Sequence, residues 1–152
     1  AQIVRAGARP ATWETLLNES DLVTIHVPAT KGTAGLFNAQ AFAQMKRGAM
    51  LVNTARGKLV DTGSLVRALD EHKLAGAALD STDPEPLPQT HVLFSKDNVI
   101  ITPHLGWYSE EALWSMRKSI VEDVVAAASG RLPDTVVNQG VLTSPELRMK
   151  LR

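Results

Sequence analysis

The chain has 152 residues, with 16 basic and 16 acidic side chains, four histidines and no cysteine. Its 44% hydrophobic and 21% charged residues are typical of a globular protein, and its length allows about one domain with a buried core. The balanced charge gives no reason to expect a nucleic-acid or membrane surface, and the lack of cysteine excludes disulfides and thiolate sites. No apolar run approaches the roughly 20 residues of a membrane span, and we expect a cytoplasmic protein.

The first third of the chain predicts two helices on either side of a strand. Thr12 precedes a short amphipathic segment, residues 13–18, and is placed to cap it as a helix. Residues 22–27 are short, apolar and β-branched, and predict a buried parallel strand that Pro28 stops. Asn38 is then expected to cap a helix that ends near Gly48.

The middle of the chain predicts two further strands around one helix. Residues 49–53 begin apolar and end in small polar residues, as a buried strand does where it opens into a loop. Asp61 is expected to cap a helix that runs to about His72, with Gly76 just beyond its end. Residues 75–79 are small and apolar, and predict a strand against which helices pack closely.

The last third predicts a fourth strand and a long helix. Residues 98–102 form another short apolar run, and Ser109 is placed to cap a helix that continues to about Ser129. Gly130 would end this helix. Five apolar residues at helical spacing are expected to share its inward side: Leu113, Met116, Ile120, Val124 and Ala127.

Strands that alternate with helices predict an α/β fold with a parallel sheet, wound right-handedly and covered on both faces. Four polar or special residues follow four different strands: Pro28, Arg56, Asp80 and His104. The carboxyl ends of parallel strands share one edge, where ligands bind in open α/β sheets. We therefore expect a site at that edge.

Arg56 and His104 carry the chemistry of this predicted site. A guanidinium offers a rigid pair of donors to a carboxylate or phosphate, although a solvated surface arginine would give the same pattern. His104 is a candidate general acid/base because imidazole exchanges a proton near neutral pH, with a merely structural histidine as the alternative. Glu85, in the proline-rich loop, is the candidate partner that sets its protonation.

The other candidates are weaker. Asp80 could be a solvated aspartate or an acceptor for a ligand amide. We expect His26 to lie inside its strand as a core or supporting residue, and His72 to stabilise the last turn of its helix. His91 falls in a loop and indicates nothing. No metal-ligand spacing is visible, so we predict no metal site.

The chain resembles the cofactor-domain half of the D-isomer-specific 2-hydroxyacid dehydrogenases. The resemblance extends over residues 12–138 and is carried by six motifs in the family's order and spacing. They are Ser20-Asp21-Leu22-Val23 through His26-Val27-Pro28, Met45-Lys46-Arg47-Gly48, Leu51-Val52-Asn53-Thr54-Ala55-Arg56-Gly57-Lys58-Leu59-Val60-Asp61, Leu74-Ala75-Gly76-Ala77-Ala78-Leu79-Asp80, Pro84-Glu85-Pro86 and Asn98-Val99-Ile100-Ile101-Thr102-Pro103-His104. Trp107-Tyr108-Ser109-Glu110 is similar to the branch that contains the C-terminal-binding-protein corepressors and their bacterial dehydrogenase relatives.

This resemblance implies NAD(H)-dependent interconversion of 2-keto acids and D-2-hydroxy acids. Arg56 would bind the substrate carboxylate and help to polarise the keto group, and Trp107 would form a wall of the substrate pocket. His104 would donate the proton during reduction, and Glu85 would hold it charged and oriented. The resemblance places Val27, Pro28 and Thr33 on the adenosine side of NAD, and Thr54, Ala55, Arg56, Asp80 and His104 near the nicotinamide, with Asp80 accepting from its amide.

The sequence also departs from the family pattern. It has Asp80-Ser81-Thr82 where the family usually shows Asp-Val-Phe, and it contains no G-x-G-x-x-G. We therefore expect a partial Rossmann-type, doubly wound sheet with a long C-terminal helix, from the C-terminal part of a longer enzyme. Residues 1–130 would form the partial NAD-binding domain. Residues 131–152 would form a crossover segment and a mobile tail.

Three functional hypotheses follow. The first is a dehydrogenase of small 2-keto and 2-hydroxy acids that forms a homodimer at full length and binds no nucleic acid or membrane. The second is an NAD-sensing, corepressor-like protein, and the third is a fragment that is inactive alone. Residues 22–27 would lie at an apolar sheet edge, so we also predict self-association of the isolated chain.

Overall fold

The computed structural model describes residues 7–144, and the expectations for residues 1–6 and for the end of the tail lie outside that range. The chain divides into two compact units, Ala1–Gly106 and Trp107–Arg152, which we describe separately. This structural division falls before the domain boundary that the sequence predicts at residue 130. The predicted domain assignment stays a prediction.

The first unit contains a sheet of four parallel strands in the order β1-β2-β3-β4. The strands are β1 (Leu22–Ile25), β2 (Ala49–Asn53), β3 (Leu74–Leu79) and β4 (Val99–Ile101). The predicted parallel α/β fold is confirmed. The strands follow one another across the sheet without a reversal, and β1 forms one edge of the described sheet, as the sequence predicts.

Three helices of this unit begin where the sequence predicts. They are α1 (Trp13–Glu19), α2 (Ala39–Gln44) and α3 (Thr62–Asp70). The side chains of Thr12, Asn38 and Asp61 each accept a hydrogen bond from a backbone N–H in the first turn of the helix that follows. These caps satisfy donors that have no partner inside the helix, which is why short polar residues mark the starts so clearly.

One face of the sheet carries the hydrophobic core. Val23, Leu51 and Leu79 point to this face and are 5% exposed or less, and they join a cluster with Leu17 of α1 and Leu65 of α3. The sequential strand order places right-handed connections on the same side of the sheet. The helices therefore stack along this face and cover it.

The opposite face is open, which corrects two predictions. Leu22, Met50 and Ile100 point to it and are 48%, 46% and 67% exposed. The expectation of a sheet covered on both faces is wrong for the described residues, because every connection runs in the same direction. Residues 22–27 are likewise not a fully buried strand: β1 ends at Ile25 and its residues alternate between exposed and buried.

The end of α3 also differs from the prediction. The helix stops at Asp70, and His72 lies beyond it with a left-handed φ of 52°, so it is not part of the last turn. Gly76 lies within β3, where a Cβ would come within 2.7 Å of the Asn98 carbonyl oxygen. The glycine is therefore needed for a close approach between neighbouring strands and does not end the helix.

The second unit contains the predicted long helix, α4 (Glu110–Ala128), capped by the Ser109 side chain. Gly130 follows its end with a φ of 72°, as a terminating glycine does. The predicted inward stripe is not buried: Met116, Ile120 and Val124 are 46%, 58% and 62% exposed. None of the helices in the described part of the chain is long and apolar enough to cross a membrane.

Candidate active site

The predicted polar residues lie at the carboxyl edge of the sheet. His26 and Pro28 follow β1, Arg56 follows β2, Asp80 follows β3, and His104 follows β4. All four strands are parallel, so the loops that carry these residues leave the sheet at the same edge. This is the edge at which ligands bind in open α/β sheets.

Arg56 is presented by a short turn, residues 53–57, that we name the Arg56 turn. Asn53, the last residue of β2, is fully buried. Its Nδ2 donates to the Arg56 carbonyl oxygen at 2.9 Å, and its Oδ1 accepts from the Ala55 N–H at 3.1 Å. The buried amide therefore fixes the path of the backbone at Arg56.

The Arg56 side chain is exposed and its charge is unpaired. One guanidinium nitrogen, Nη1, donates to the Ala55 carbonyl oxygen at 2.7 Å. Within residues 7–144, no carboxylate forms an ion pair with it. A guanidinium has five N–H donors, so most of them are available to an anion in the cleft.

The Arg56 turn packs directly against the loop that carries Glu85. A Cβ at Gly57 would lie 1.9 Å from the Thr82 carbonyl oxygen, so only glycine allows the two backbones to come this close. Thr62, at the start of α3, donates from Oγ1 to the Asp83 carbonyl oxygen at 3.2 Å. These contacts set the distance between the guanidinium and the acidic loop.

Glu85 and His104 form the predicted pair. The Oε1 atom of Glu85 lies 2.5 Å from Nδ1 of His104, and the two side chains are 43% and 37% exposed. The sequence prediction that Glu85 is the partner of His104 is consistent with this contact. Because Nδ1 faces the carboxylate, Nε2 is the ring nitrogen left to exchange a proton with a ligand.

His104 has an unusual backbone conformation. Its φ is 55°, in the left-handed region that residues with a Cβ seldom adopt. Its N–H donates to the Thr102 carbonyl oxygen at 3.0 Å, which closes a tight turn. Such a conformation costs about 1 kcal/mol or more and persists only where surrounding contacts enforce it.

Asp80 supplies those contacts. Its carboxylate is 7% exposed and accepts from the Thr102 hydroxyl at 2.5 Å and from the N–H groups of Leu105 and Gly106, each at 2.8 Å. A Cβ at Gly106 would lie 2.9 Å from Asp80 Oδ2. We name residues 102–106 the His104 loop. Asp80 holds it on both sides of the histidine.

The same bonds keep Asp80 ionised. The Thr102 hydroxyl lowers the pKa of the carboxyl most, and the N–H groups of Gly106 and Leu105 lower it further, while burial acts in the opposite direction. The Oδ1 atom accepts two hydrogen bonds and Oδ2 accepts one. The Oδ2 atom therefore retains capacity for one more donor. The predicted bond to a nicotinamide amide stays a prediction.

Two cavities border these loops. The main cleft has a volume of about 1030 Å³ and is lined by His26, Val27, Pro28, Ala29, Ala55, Arg56, Gly57, Lys58, Thr82, Asp83 and Glu85. A smaller cavity, of about 480 Å³, is lined by Asp80, Thr82, Glu85, Pro86, Leu87, Phe94, Ile101, Thr102, Pro103 and His104. Glu85 and Thr82 border both, so the Glu85–His104 pair lies where the two cavities meet.

Not all predicted residues line these cavities. Val27, Pro28 and Ala55 line the main cleft, whereas Thr33 and Thr54 are not among its lining residues. Thr33 instead stabilises its own loop, accepting from the Thr30 N–H at 2.8 Å and donating to the Pro28 carbonyl oxygen at 2.7 Å. The cofactor roles predicted for these residues stay predictions.

Trp107 belongs to the second unit, where its ring contacts that of Tyr108 edge-on at a centroid distance of 5.5 Å. Its predicted role in the substrate pocket stays a prediction. Within residues 7–144, no cluster of three or more histidines, aspartates or glutamates could hold a metal ion.

Sequence reasoning placed His26 incorrectly, did not find the capping role of His91, which lies in a loop as predicted, and missed Lys58. His26 is not inside a strand: it follows β1, is exposed, lines the main cleft and bonds from Nε2 to Thr24 Oγ1 at 2.9 Å. His91 caps the 3₁₀ turn Val92–Ser95 by accepting from the Leu93 N–H. Lys58 also lines the main cleft. His26 and Lys58 lie just beyond strand ends, so the rule that selected Arg56 could have found them.

Comparisons with known proteins agree with this geometry. Residues 1–106 match the family described as D-isomer specific 2-hydroxyacid dehydrogenase, NAD binding domain. A glyoxylate reductase of Thermofilum pendens is 46% identical over 129 residues, which are 85% of this chain and 38% of the relative. The chain thus spans about two fifths of the length of the curated relatives it matches, 38% and 41% in two examples.

Solved structures show the same likeness. The TT0316 protein of Thermus thermophilus is 48% identical with a TM-score of 0.79, over 82% of this chain and 40% of that one. D-lactate dehydrogenase of Lactobacillus jensenii, solved with NAD+, is 32% identical with a TM-score of 0.77, over 85% of this chain and 43% of that one. The chain belongs to the NAD-binding-domain family of the D-isomer-specific 2-hydroxyacid dehydrogenases.

Proposed function

We propose that this chain supplies the substrate-binding and proton-transferring residues of an NAD(H)-dependent oxidoreductase that interconverts 2-keto acids and D-2-hydroxy acids. The observation that carries the proposal is the Glu85–His104 pair, at the same sheet edge as the unpaired Arg56. An acid/base group beside a free guanidinium fits a substrate that has a carboxylate next to a carbonyl.

Arg56 binds the substrate carboxylate in this account. Its rigid fork of donors matches the two oxygens of a carboxylate, and the main cleft leaves it accessible. An anion bound here brings the adjacent carbonyl towards the acidic loop, because Gly57 packs against Thr82 and thereby fixes the spacing of the two loops. Binding and orientation of the keto acid are thus the work of the Arg56 turn.

His104 moves the proton. In reduction, the Nε2–H group gives its proton to the carbonyl oxygen, which becomes the hydroxyl group of the product, and in oxidation the same nitrogen takes it back. Glu85, at Nδ1, orients the ring and stabilises its charged form. When bound, NAD(H) would supply the hydride to the carbon atom in reduction or accept it in oxidation, which balances the proton that His104 moves.

The residues present fit the nicotinamide cofactor. Val27, Pro28 and Ala55 give the main cleft an apolar lining that suits flat rings. Asp80 Oδ2 has acceptor capacity left, which suits the amide group of a nicotinamide. Val27 and Pro28 would hold the adenosine side, and Ala55 and Asp80 the nicotinamide side.

The relatives suggest the size of the substrate. They include a glyoxylate reductase, a glycerate dehydrogenase and a D-lactate dehydrogenase, so we propose a small 2-keto acid such as glyoxylate for this chain. The homodimer stays a prediction for the full-length enzyme. The corepressor branch, the cytoplasmic location and self-association of the isolated chain stay predictions.

A segment exchange tests this proposal. The 129 matched residues of the Thermofilum pendens enzyme are replaced by those of this chain, and oxidation of NADH by glyoxylate is measured. We expect turnover, and we expect Arg56→Lys to raise KM about 100-fold because the bidentate contact is lost. Arg117→Lys, on the exposed surface of α4, is the matched control.

A folded exchange protein that binds NADH but does not reduce glyoxylate, hydroxypyruvate or pyruvate would overturn the proposed activity. Equal KM values for Arg56→Lys and Arg117→Lys would overturn the role of Arg56. Circular dichroism and NADH fluorescence establish folding and cofactor binding separately from turnover.

A further inference from the structure

Thr102 has a contact that the proposed mechanism does not use. Its backbone follows β4 and the residue is exposed, yet its hydroxyl donates to the buried carboxylate of Asp80 at 2.5 Å. A threonine at a strand end needs no such bond, because water can satisfy an exposed hydroxyl. The bond therefore points to a role for the carboxylate that receives it.

That carboxylate determines the shape of the His104 loop. The N–H groups of Leu105 and Gly106, directly after His104, both donate to Asp80. On the other side, the His104 N–H donates to the Thr102 carbonyl oxygen. The histidine is thus held between a residue that donates to Asp80 by its side chain and two that donate by their backbones.

The left-handed conformation of His104 depends on these bonds. A residue with a Cβ is more stable in the extended or right-handed helical region than at a φ of 55°. His104 keeps this φ because its neighbours are fixed. If the loop relaxed in this way, the ring would swing and Nδ1 would lose its 2.5 Å contact with Glu85 Oε1. The geometry of the acid/base pair therefore rests on a carboxylate whose hydrogen bonds are to the neighbours of His104.

We propose that the Thr102 hydroxyl is a positioning group for His104: it orients the Asp80 carboxylate so that both amides after the histidine are held and the imidazole meets Glu85. The functional part of this inference rests on the proposed function, since it assigns Thr102 to the same acid/base pair. Oδ1 receives the hydroxyl and the Leu105 N–H together. Loss of the hydroxyl frees the carboxylate to rotate, and the amide bonds weaken.

Two substitutions separate the hydroxyl from the rest of the side chain. Thr102→Val keeps the shape and the β-branch but removes the donor, whereas Thr102→Ser keeps the donor. Thr15→Val is the matched control, because Thr15 is half-buried and its hydroxyl accepts a bond of 2.9 Å from the Thr12 hydroxyl, which the valine loses. The isotopically labelled 152-residue chain is studied by NMR without cofactor or substrate.

We expect Thr102→Val to speed hydrogen exchange at the amides of Leu105 and Gly106 about tenfold, the effect of weakening hydrogen bonds to a charged acceptor. The same variant shifts the Nδ1 resonance of His104 and moves its backbone carbon shifts towards those of extended residues. Thr102→Ser restores all three signals. Thr15→Val leaves them unchanged, and remote amides report that each variant is folded.

Unchanged exchange and an unchanged His104 ring signal in folded Thr102→Val would overturn the inference. If that variant does not fold, the unmodified chain tests the inference instead. Its Thr102 hydroxyl proton should exchange slowly with water, and a rapidly exchanging hydroxyl proton would contradict the proposal. These measurements need no NAD or keto acid. If the segment-exchanged enzyme shows no activity, the NMR result on Thr102 still stands. If the NMR result contradicts the role of Thr102, the segment exchange still tests the activity.

Discussion

The Arg56 turn and the His104 loop are both irregular segments at the carboxyl edge of the sheet, but different contacts stabilise them. Each presents a side chain of the candidate site from irregular backbone, and each is held by a buried polar residue at the end of a strand. Asn53 holds the Arg56 turn through an amide, with bonds to Ala55 and the Arg56 carbonyl. Asp80 holds the His104 loop through a carboxylate.

The difference lies in the sequence distance that each contact spans. Asn53 bonds to groups two and three residues away, so it stabilises a turn of its own strand end. Asp80 follows β3 and bonds to groups 22 to 26 residues away, after β4. The hydrogen bonds of Asn53 therefore need only the end of β2, whereas those of Asp80 need the correct pairing of β3 and β4.

The largest expected effect comes from Asp80→Ala. It removes a charged acceptor from three donors, so we expect the free energy of unfolding to fall by about 4 kcal/mol. Urea denaturation followed by circular dichroism measures the change. Asp97→Ala, at an exposed aspartate, should stay within about 0.5 kcal/mol of the unchanged chain. Equal losses of unfolding free energy in Asp80→Ala and Asp97→Ala would show that the Asp80 carboxylate does not stabilise the His104 loop.

Gly57→Ala breaks the contact between the Arg56 turn and the acidic loop. The new Cβ would lie 1.9 Å from the Thr82 carbonyl oxygen, so the backbones must separate, at an expected cost of about 3 kcal/mol. Gly63→Ala is the control, since its Cβ would meet only ordinary contacts at 3.7 Å within α3. It should stabilise the chain by about 0.5 to 1 kcal/mol. A tolerated alanine at position 57 would contradict the close packing.

Asn53→Ala tests the local hydrogen bonds that hold the Arg56 turn. Two buried hydrogen bonds are lost, and we expect the free energy of unfolding to fall by about 2 kcal/mol, which is less than for Asp80→Ala. Thermal and urea denaturation of both variants under the same conditions give the ranking. The reverse ranking would mean that the local turn, and not the contact between strands, is the more important of the two.

The smallest effect is a dependence on pH. The pKa of Asp80 is lower in the folded chain than its ordinary value of 3.8, so its ionised form stabilises the fold above that pH. This contribution is lost as the pH falls through the folded pKa. Asp80→Asn lacks the ionisable carboxyl. The difference in free energy of unfolding between this variant and the unchanged chain should therefore shrink below about pH 4. A constant difference from pH 7 to pH 3 would contradict the assignment.

The local features of the fold were predictable from sequence because their causes lie within a few residues. Thr12, Asn38 and Asp61 cap helices through hydrogen bonds to residues two or three positions away. The apolar runs predicted β2 to the residue. The positions after the strands predicted Arg56 and His104, with Glu85 as the candidate partner of the histidine, whereas only the resemblance to the family specified hydride chemistry.

The remaining features depend on contacts that sequence patterns do not express. The open face of the sheet follows from the direction of every connection, and alternation in β1 was hidden because Leu22, on its exposed face, is as apolar as its buried residues. A glycine was expected just beyond the end of α3, but the residue with a left-handed φ there is His72. The role of Thr102 becomes visible only when β3 and β4 are paired.

The central claim is that His104, held by Glu85, transfers the proton. The most direct test is kcat for glyoxylate reduction by the segment-exchanged enzyme with His104→Gln, at saturating NADH and glyoxylate. We predict a fall of about 100-fold to 10,000-fold with little change in NADH affinity, as expected when a general acid is removed. An unchanged kcat would contradict the account and move proton transfer to another group at this edge of the sheet.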